Sequence, residues 1–70
     1  MEIITEEILT LVKKKMEEQG AYTIEAYKQF IAETIDYFIE KGKLTDDDNL
    51  EFIETNLTNR WGDVKNEIEF

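Results

Sequence analysis

The chain contains no cysteine, no histidine and no proline among its 70 residues. Without cysteine there is no disulfide staple and no thiolate nucleophile, and the redox compartment is left open. Without histidine there is no imidazole acid–base relay, and no Cys/His zinc site can be assembled from this chain. Only three glycines, Gly20, Gly42 and Gly62, punctuate it. No run of about 18 apolar residues occurs, so no segment is expected to span a membrane. Met1-Glu2-Ile3-Ile4 lacks the basic start and long apolar stretch of a secretion signal, and a cytoplasmic protein is the expectation.

What the chain has is negative charge. Seventeen Asp and Glu stand against eight Lys and Arg, a net of −9. Hydrophobic residues make up 41%, with four Phe and three Tyr, which is too apolar for a disordered acidic tail. The sequence therefore describes one small domain whose single core yields a few kcal/mol of net stability. Direct binding to nucleic acid is not expected, because phosphates would be repelled.

Apolar spacing predicts an all-α, antiparallel three-helix bundle with helices at about 5–19, 23–41 and 46–68 and a long or broken C-terminal helix. In the first, Thr5 is the expected N-cap, Ile4, Ile8, Leu11, Val12 and Met16 form the buried line, and Gly20 is the stop. Lys13, Lys14 and Lys15 read as a solvated helix end. The second helix opens at Thr23 and stops before Gly42. Placing residues at 100° steps gives it a broad apolar sector from Ile24 to Ile39 that includes Tyr27, Phe30, Ile31, Ile35, Tyr37 and Phe38. Gln29, Glu33, Asp36 and Glu40 share the strip opposite. A helix apolar over more than half its circumference touches neighbours on two sides, so it is expected in the middle.

Gly42-Lys43-Leu44 is a short connector, and Thr45 to Asp48 has the form of a capping box opening the third helix. Leu50, Ile53, Leu57, Trp61, Val64 and Ile68 then recur at helical spacing straight through Gly62. Three outcomes stay open there. The helix continues, paying about 1 kcal/mol for an interior glycine; it breaks at Gly62 with Asp63 capping a short final helix; or residues 67–70 form a strand against residues 2–4. The irregular polar residues Thr55, Asn56, Thr58 and Asn59 argue against an idealised designed sequence.

Two candidate surfaces emerge, and neither is catalytic. The first is acidic: Asp46, Asp47, Asp48, Glu51 and Glu54. An EF-hand loop needs alternating oxygen ligands with a glycine at the sixth position, whereas these acids are consecutive and no glycine follows. Paired-carboxylate catalysis needs a cleft with one buried acid, for which a small helical domain has little room. No enzyme activity, metal or cofactor is therefore expected. Residues 43–70 hold eight acids against Lys43, Arg60 and Lys65, a net of −5. That array reads either as a solubility coat or as a nucleic-acid mimic that fills a basic groove.

The second surface is apolar. Phe52 lies about 160° from the Leu50/Leu57/Trp61 stripe, and with Asn56 and Asn59 it forms a candidate anchor for a protein partner or a second copy. Alternatively it tucks under the 42–45 connector. Trp61 is assigned to the core. A continuous third helix of about 34 Å would overhang the first, at about 22 Å, and expose Val64, Ile68 and Phe70 as a further contact end.

The run Tyr37-Phe38-Ile39-Glu40-Lys41-Gly42-Lys43-Leu44-Thr45, followed by the acid-rich helix Leu50-Glu51-Phe52-Ile53-Glu54, resembles short acidic proteins encoded by bacteriophages, in which a GKLT or GKIT turn joins two helices. The resemblance covers about a third of the chain. Proteins of that kind include virion components, host-takeover factors and inhibitors of host nucleases. The resemblance names no function by itself; the Phe52/Asn56/Asn59 side or the Trp61–Phe70 end points to a non-catalytic protein-interaction module, and the acidic array to an acidic inhibitor of a host nucleic-acid-binding protein as the alternative.

Overall fold

A computed structural model describes residues 2–45 and 50–68, and side chains for residues 4–45 and 50–67. Four helices follow in order: α1 (Glu2–Gln19), α2 (Ile24–Glu40), α3 (Leu50–Asn59) and α4 (Trp61–Ile68). No strand occurs among the described residues, so the all-helical bundle stands and the 67–70 strand does not. At 37 × 20 × 19 Å the body is two helix diameters thick in both short directions. No described helix is long and apolar enough to cross a membrane.

Local chemistry sets the ends of the first two helices. α1 closes at Gly20, whose φ of +63° is cheap only for glycine, and the Ala21 amide donates to the Met16 carbonyl at 3.0 Å. α2 opens at Thr23, whose hydroxyl accepts from the Ala26 amide at 3.2 Å. It closes at Gly42 with φ +78°; the Lys43 amide donates to Phe38 at 2.8 Å and the Gly42 amide to Ile39 at 3.0 Å. This is the paired Schellman pattern. Lys43 Nζ then lies 5.2 Å from the Phe38 ring centroid and Leu44 is buried, so the connector is fastened to the core.

The expected start of α1 was three residues late. Thr5 sits half-buried inside the helix, which reaches back to Glu2 because Ile4 continues the buried line through Ile8, Val12 and Met16. α3 as described begins at Leu50; its expected start at 46, with the Thr45–Asp48 capping box, lies outside the described residues. α2 buries Tyr27, Phe30, Ile31, Ile35 and Phe38 of the expected face, with Thr34 beside them, but leaves Tyr37 and Ile24 of that face exposed; Gln29, Glu33, Asp36 and Glu40 point out. The place in the middle is shared, since α1 packs against all three other helices.

The long third helix is broken, and the break falls at Arg60 rather than Gly62. Its cause lies 30 residues upstream. The Tyr27 hydroxyl, inside the core, donates to the Leu57 carbonyl, which also accepts from the Arg60 amide at 3.1 Å. Two donors on that carbonyl, one at the tight i→i−3 spacing, replace the ordinary i→i−4 continuation. α4 then starts afresh on the Arg60 carbonyl, which accepts from the Asp63 and Val64 amides at 3.1 and 3.0 Å. Gly62 falls within the first turn of α4, and Asp63 takes the dipole-favoured place beside it without being the cap.

The redirected chain changes what is buried. Val64 is 1% exposed and belongs to the core, not to an overhanging end. Trp61 is half-buried, stacked at 4.9 Å on Tyr27, rather than fully inside. The Ile68 side chain and Phe70 lie outside the description. Two ion pairs join α4 and its junction to α1: Arg60 Nη1 to Glu6 Oε2 and Lys13 Nζ to Glu67 Oε2, both 2.6 Å. The carboxylate of each pair is more than half exposed, so solvent screens both pairs. Burying Val64 contributes about 1.5–2 kcal/mol, so apolar contact dominates the docking.

Burial pushes the Tyr27 phenol from its ordinary 10.0 up to about 12. The folded state holds this proton more tightly than the unfolded chain, so the stabilisation is complete below about pH 10 and is lost as pH rises through about 12. Urea melts at stepped pH should show wild type weakening over that window. Tyr27→Phe should cost about 1 kcal/mol at neutral pH and flatten the alkaline limb attributable to this residue. An unchanged alkaline limb in the variant would remove Tyr27 from the account.

Candidate interaction surfaces

Two outward faces have a composition that plain solvation does not require. One is on α3. Residues 52, 56 and 59 are spaced by four and three, which puts them on a single helical face, and all three are exposed. Phe52 is 58% exposed, the highest value among the large hydrophobics described. Glu51 and Glu54 flank it, both exposed, and α3 carries no basic residue from Leu50 to Asn59. Of the expected acidic surface, Asp46, Asp47 and Asp48 lie outside the described residues. Behind this face, Thr55, Thr58 and Asn59 meet Lys28 and Ile31 of α2 across a shallow polar cleft.

The other face is the seam between α1 and α2, which sequence reasoning did not single out. An open groove of about 930 Å³ runs between the first half of α1 and the end of α2 over Leu11, Tyr37 and Phe38. A second hollow of about 410 Å³ continues it, sharing Leu11 and Tyr37. Tyr37 is 49% exposed, and its ring stands 6.1 Å from that of Phe38. Lys41 and Lys43 edge the first stretch and lie over those two rings, at 5.6 and 5.2 Å; Lys14 and Lys15 edge the second. Half of the chain's eight cations thus line one seam. The carboxylates there are Glu6, Glu7 and Glu18. Glu6 is held by Arg60, whose hydrogen bond keeps that carboxyl below its ordinary 4.5. Lys15 also reaches Glu33 at 3.5 Å and lies over Phe30. The expected solvated lysine end is therefore a set of contacts: Lys13 on Glu67, Lys15 on Glu33 and Lys14 on the groove.

Thr34 also lines this seam. It is 2% exposed, and its Oγ1 has no hydrogen-bond partner among the described residues. An unsatisfied buried hydroxyl costs about 1–3 kcal/mol. The β-branched shape fits the core while the hydroxyl gains nothing inside this chain. No group of three or more acidic, histidine or cysteine side chains that could hold a metal ion occurs among the described residues.

Thr34→Val keeps the shape and removes the orphaned group. It should stabilise the isolated protein by about 1 kcal/mol, a rise of roughly 4–8 °C in melting temperature for a domain of this size. A lower melting temperature would mean that the hydroxyl is satisfied in solution.

No family model, no curated protein and no solved structure matches this chain.

Proposed function

We propose that this protein is a non-catalytic, cytoplasmic protein-interaction module, and that the outer face of α3 around Phe52, Asn56 and Asn59 docks a protein partner or a second copy. The placement of Phe52, Asn56 and Asn59 on one exposed face of α3 carries this reading: an aromatic side chain beside two amides is a composition that contact surfaces favour. The flanking amides supply donors and acceptors for an interface rim. Of the Trp61–Phe70 end, the alternative contact surface, Val64 is buried and Trp61 half-buried, while the Ile68 side chain and Phe70 lie outside the described residues. We also infer that α2 runs against α1, and that α3 and α4 both run in the direction of α1. The Glu6–Arg60 and Lys13–Glu67 pairs advance seven residues in the same sense on both elements, which supports α1 and α4 running alike.

A second reading is favoured by a separate observation. The net charge of −5 over residues 43–70, with Glu51 and Glu54 both exposed, suits an acidic inhibitor that occupies the nucleic-acid groove of a host protein.

Salt and substitution separate the two. With a captured partner, binding through the Phe52 face should lose at least about tenfold in affinity on Phe52→Ala. It should change little between about 50 and 500 mM salt. Charge reversal at Asp47 and Glu51 should leave it intact. Steep loss with salt and upon charge reversal, with Phe52→Ala silent, would overturn the module in favour of the inhibitor.

A further inference from the structure

We propose that α4 exchanges between two copies of this chain: the break at Arg60 straightens, α3 and α4 join into one helix, and each α4 docks on α1 of the other copy. The exchange makes no use of the outer face of α3, so it stands or falls apart from the interaction-module reading.

The sequence already holds the register of the straight form. Ile53, Leu57, Trp61 and Val64 are spaced by four, four and three, so a continuous helix keeps them on one face. The connector is a single residue, since α3 ends at Asn59 and α4 begins at Trp61. There the Arg60 and Asp63 amides both donate at the i→i−3 spacing, to the Leu57 and Arg60 carbonyls at 3.1 Å each. Straightening returns both amides to the i→i−4 bonds of an ordinary helix, with Asn56 and Asn59 as acceptors. No loop has to be built or melted.

The place vacated by α4 fixes what fills it. Lys13 of α1 holds Glu67 at 2.6 Å, Glu6 holds Arg60, and Val64 at 1% exposure belongs to the common core. Detachment uncovers Val64 and the side of α1 that carries Glu6 and Lys13. Eight residues are too few to persist as a free helix. A second copy opened in the same way offers the matching surface, and the same contacts are remade between chains. Each copy gives one α4 and receives one, so the pair is two-fold and grows no further.

Two things favour the closed form. The Tyr27 hydroxyl occupies the Leu57 carbonyl, which a straight helix gives to the Trp61 amide, and the Trp61 ring lies 4.9 Å from that of Tyr27. Docking within one chain also has the advantage of an effective concentration in about the millimolar range. Exchange is therefore expected as the chain itself approaches that concentration.

Sedimentation equilibrium on the full chain, warmed to just below its melting transition and cooled, tests this. Wild type should develop a dimer of twice the 8.3 kDa monomer mass, with no larger species. Gly62→Ala should raise the association constant about fivefold, because alanine favours the interior of the straight helix, and no atom lies within 4 Å of the added Cβ. Gly62→Pro is tolerated in the first turn of α4 but clashes with the Thr58 carbonyl in a straight helix. It should stay monomeric, with circular dichroism verifying that it is folded. Mixed one to one, Lys13→Glu and Glu67→Lys should pair with each other more than either pairs with itself. Only the exchanged heterodimer sets opposite charges at both contacts. A wild type that stays monomeric into the millimolar range overturns the proposal. So does a dimer that Gly62→Pro forms as readily as wild type, or one in which the charge-reversed variants show no preference for mixing. Should Gly62→Pro fail to fold, the mixing result decides alone.

Discussion

The bond from the Tyr27 hydroxyl to the Leu57 carbonyl organises the C-terminal third of the molecule. A buried phenol must place its hydroxyl somewhere, and within this core the available acceptor is a main-chain oxygen near the end of α3. That bond falls where the backbone tightens at Arg60, between the end of α3 and the start of α4. Everything distinctive about the last third follows from that change. Val64 turns into the core, Trp61 rests on the Tyr27 ring, and Arg60 comes within reach of Glu6. The constraint is one of polar satisfaction: an apolar ring alone at this position would pack, but it would have no reason to end a helix.

The division between what was legible in the sequence and what was not follows the range of the forces. Gly20, Thr23 and Gly42 act within one turn of themselves, and each marks a boundary that the structure retains. The broad apolar sector of α2 was legible because 3.6-residue periodicity is a local property. The break at Arg60 was not, because its cause is a tyrosine 30 residues away that reads, in sequence, as one more apolar position. Gly62 drew attention as the poorest helix former in the stretch, yet propensity of about 1 kcal/mol yields to tertiary contact. Thr5 erred in the opposite direction: a residue type that suits a cap was placed inside the helix by the apolar line that runs past it.

The interaction surfaces divide in the same way. Phe52 could be found by its angle from the buried stripe, since that angle is fixed by its own helix. The seam could not be found, because it joins Lys14 and Lys15 to Lys41 and Lys43 across two helices, and no linear window contains both pairs. Read along the chain, those lysines look like dilute compensation for an acidic sequence. In space four of them edge one seam, beside Glu6, Glu7 and Glu18. The polarity of the whole differs from that of its parts.

The stacking of Trp61 against Tyr27 has a practical consequence. Trp61 is the chain's sole indole, and it stands at the first residue of α4, within 4.9 Å of the phenol that ends α3. An eight-residue helix has too little cooperativity to persist undocked. Detachment of this segment would strip the indole of its neighbour and hydrate it, so intrinsic fluorescence is a built-in optical gauge of whether the junction is closed.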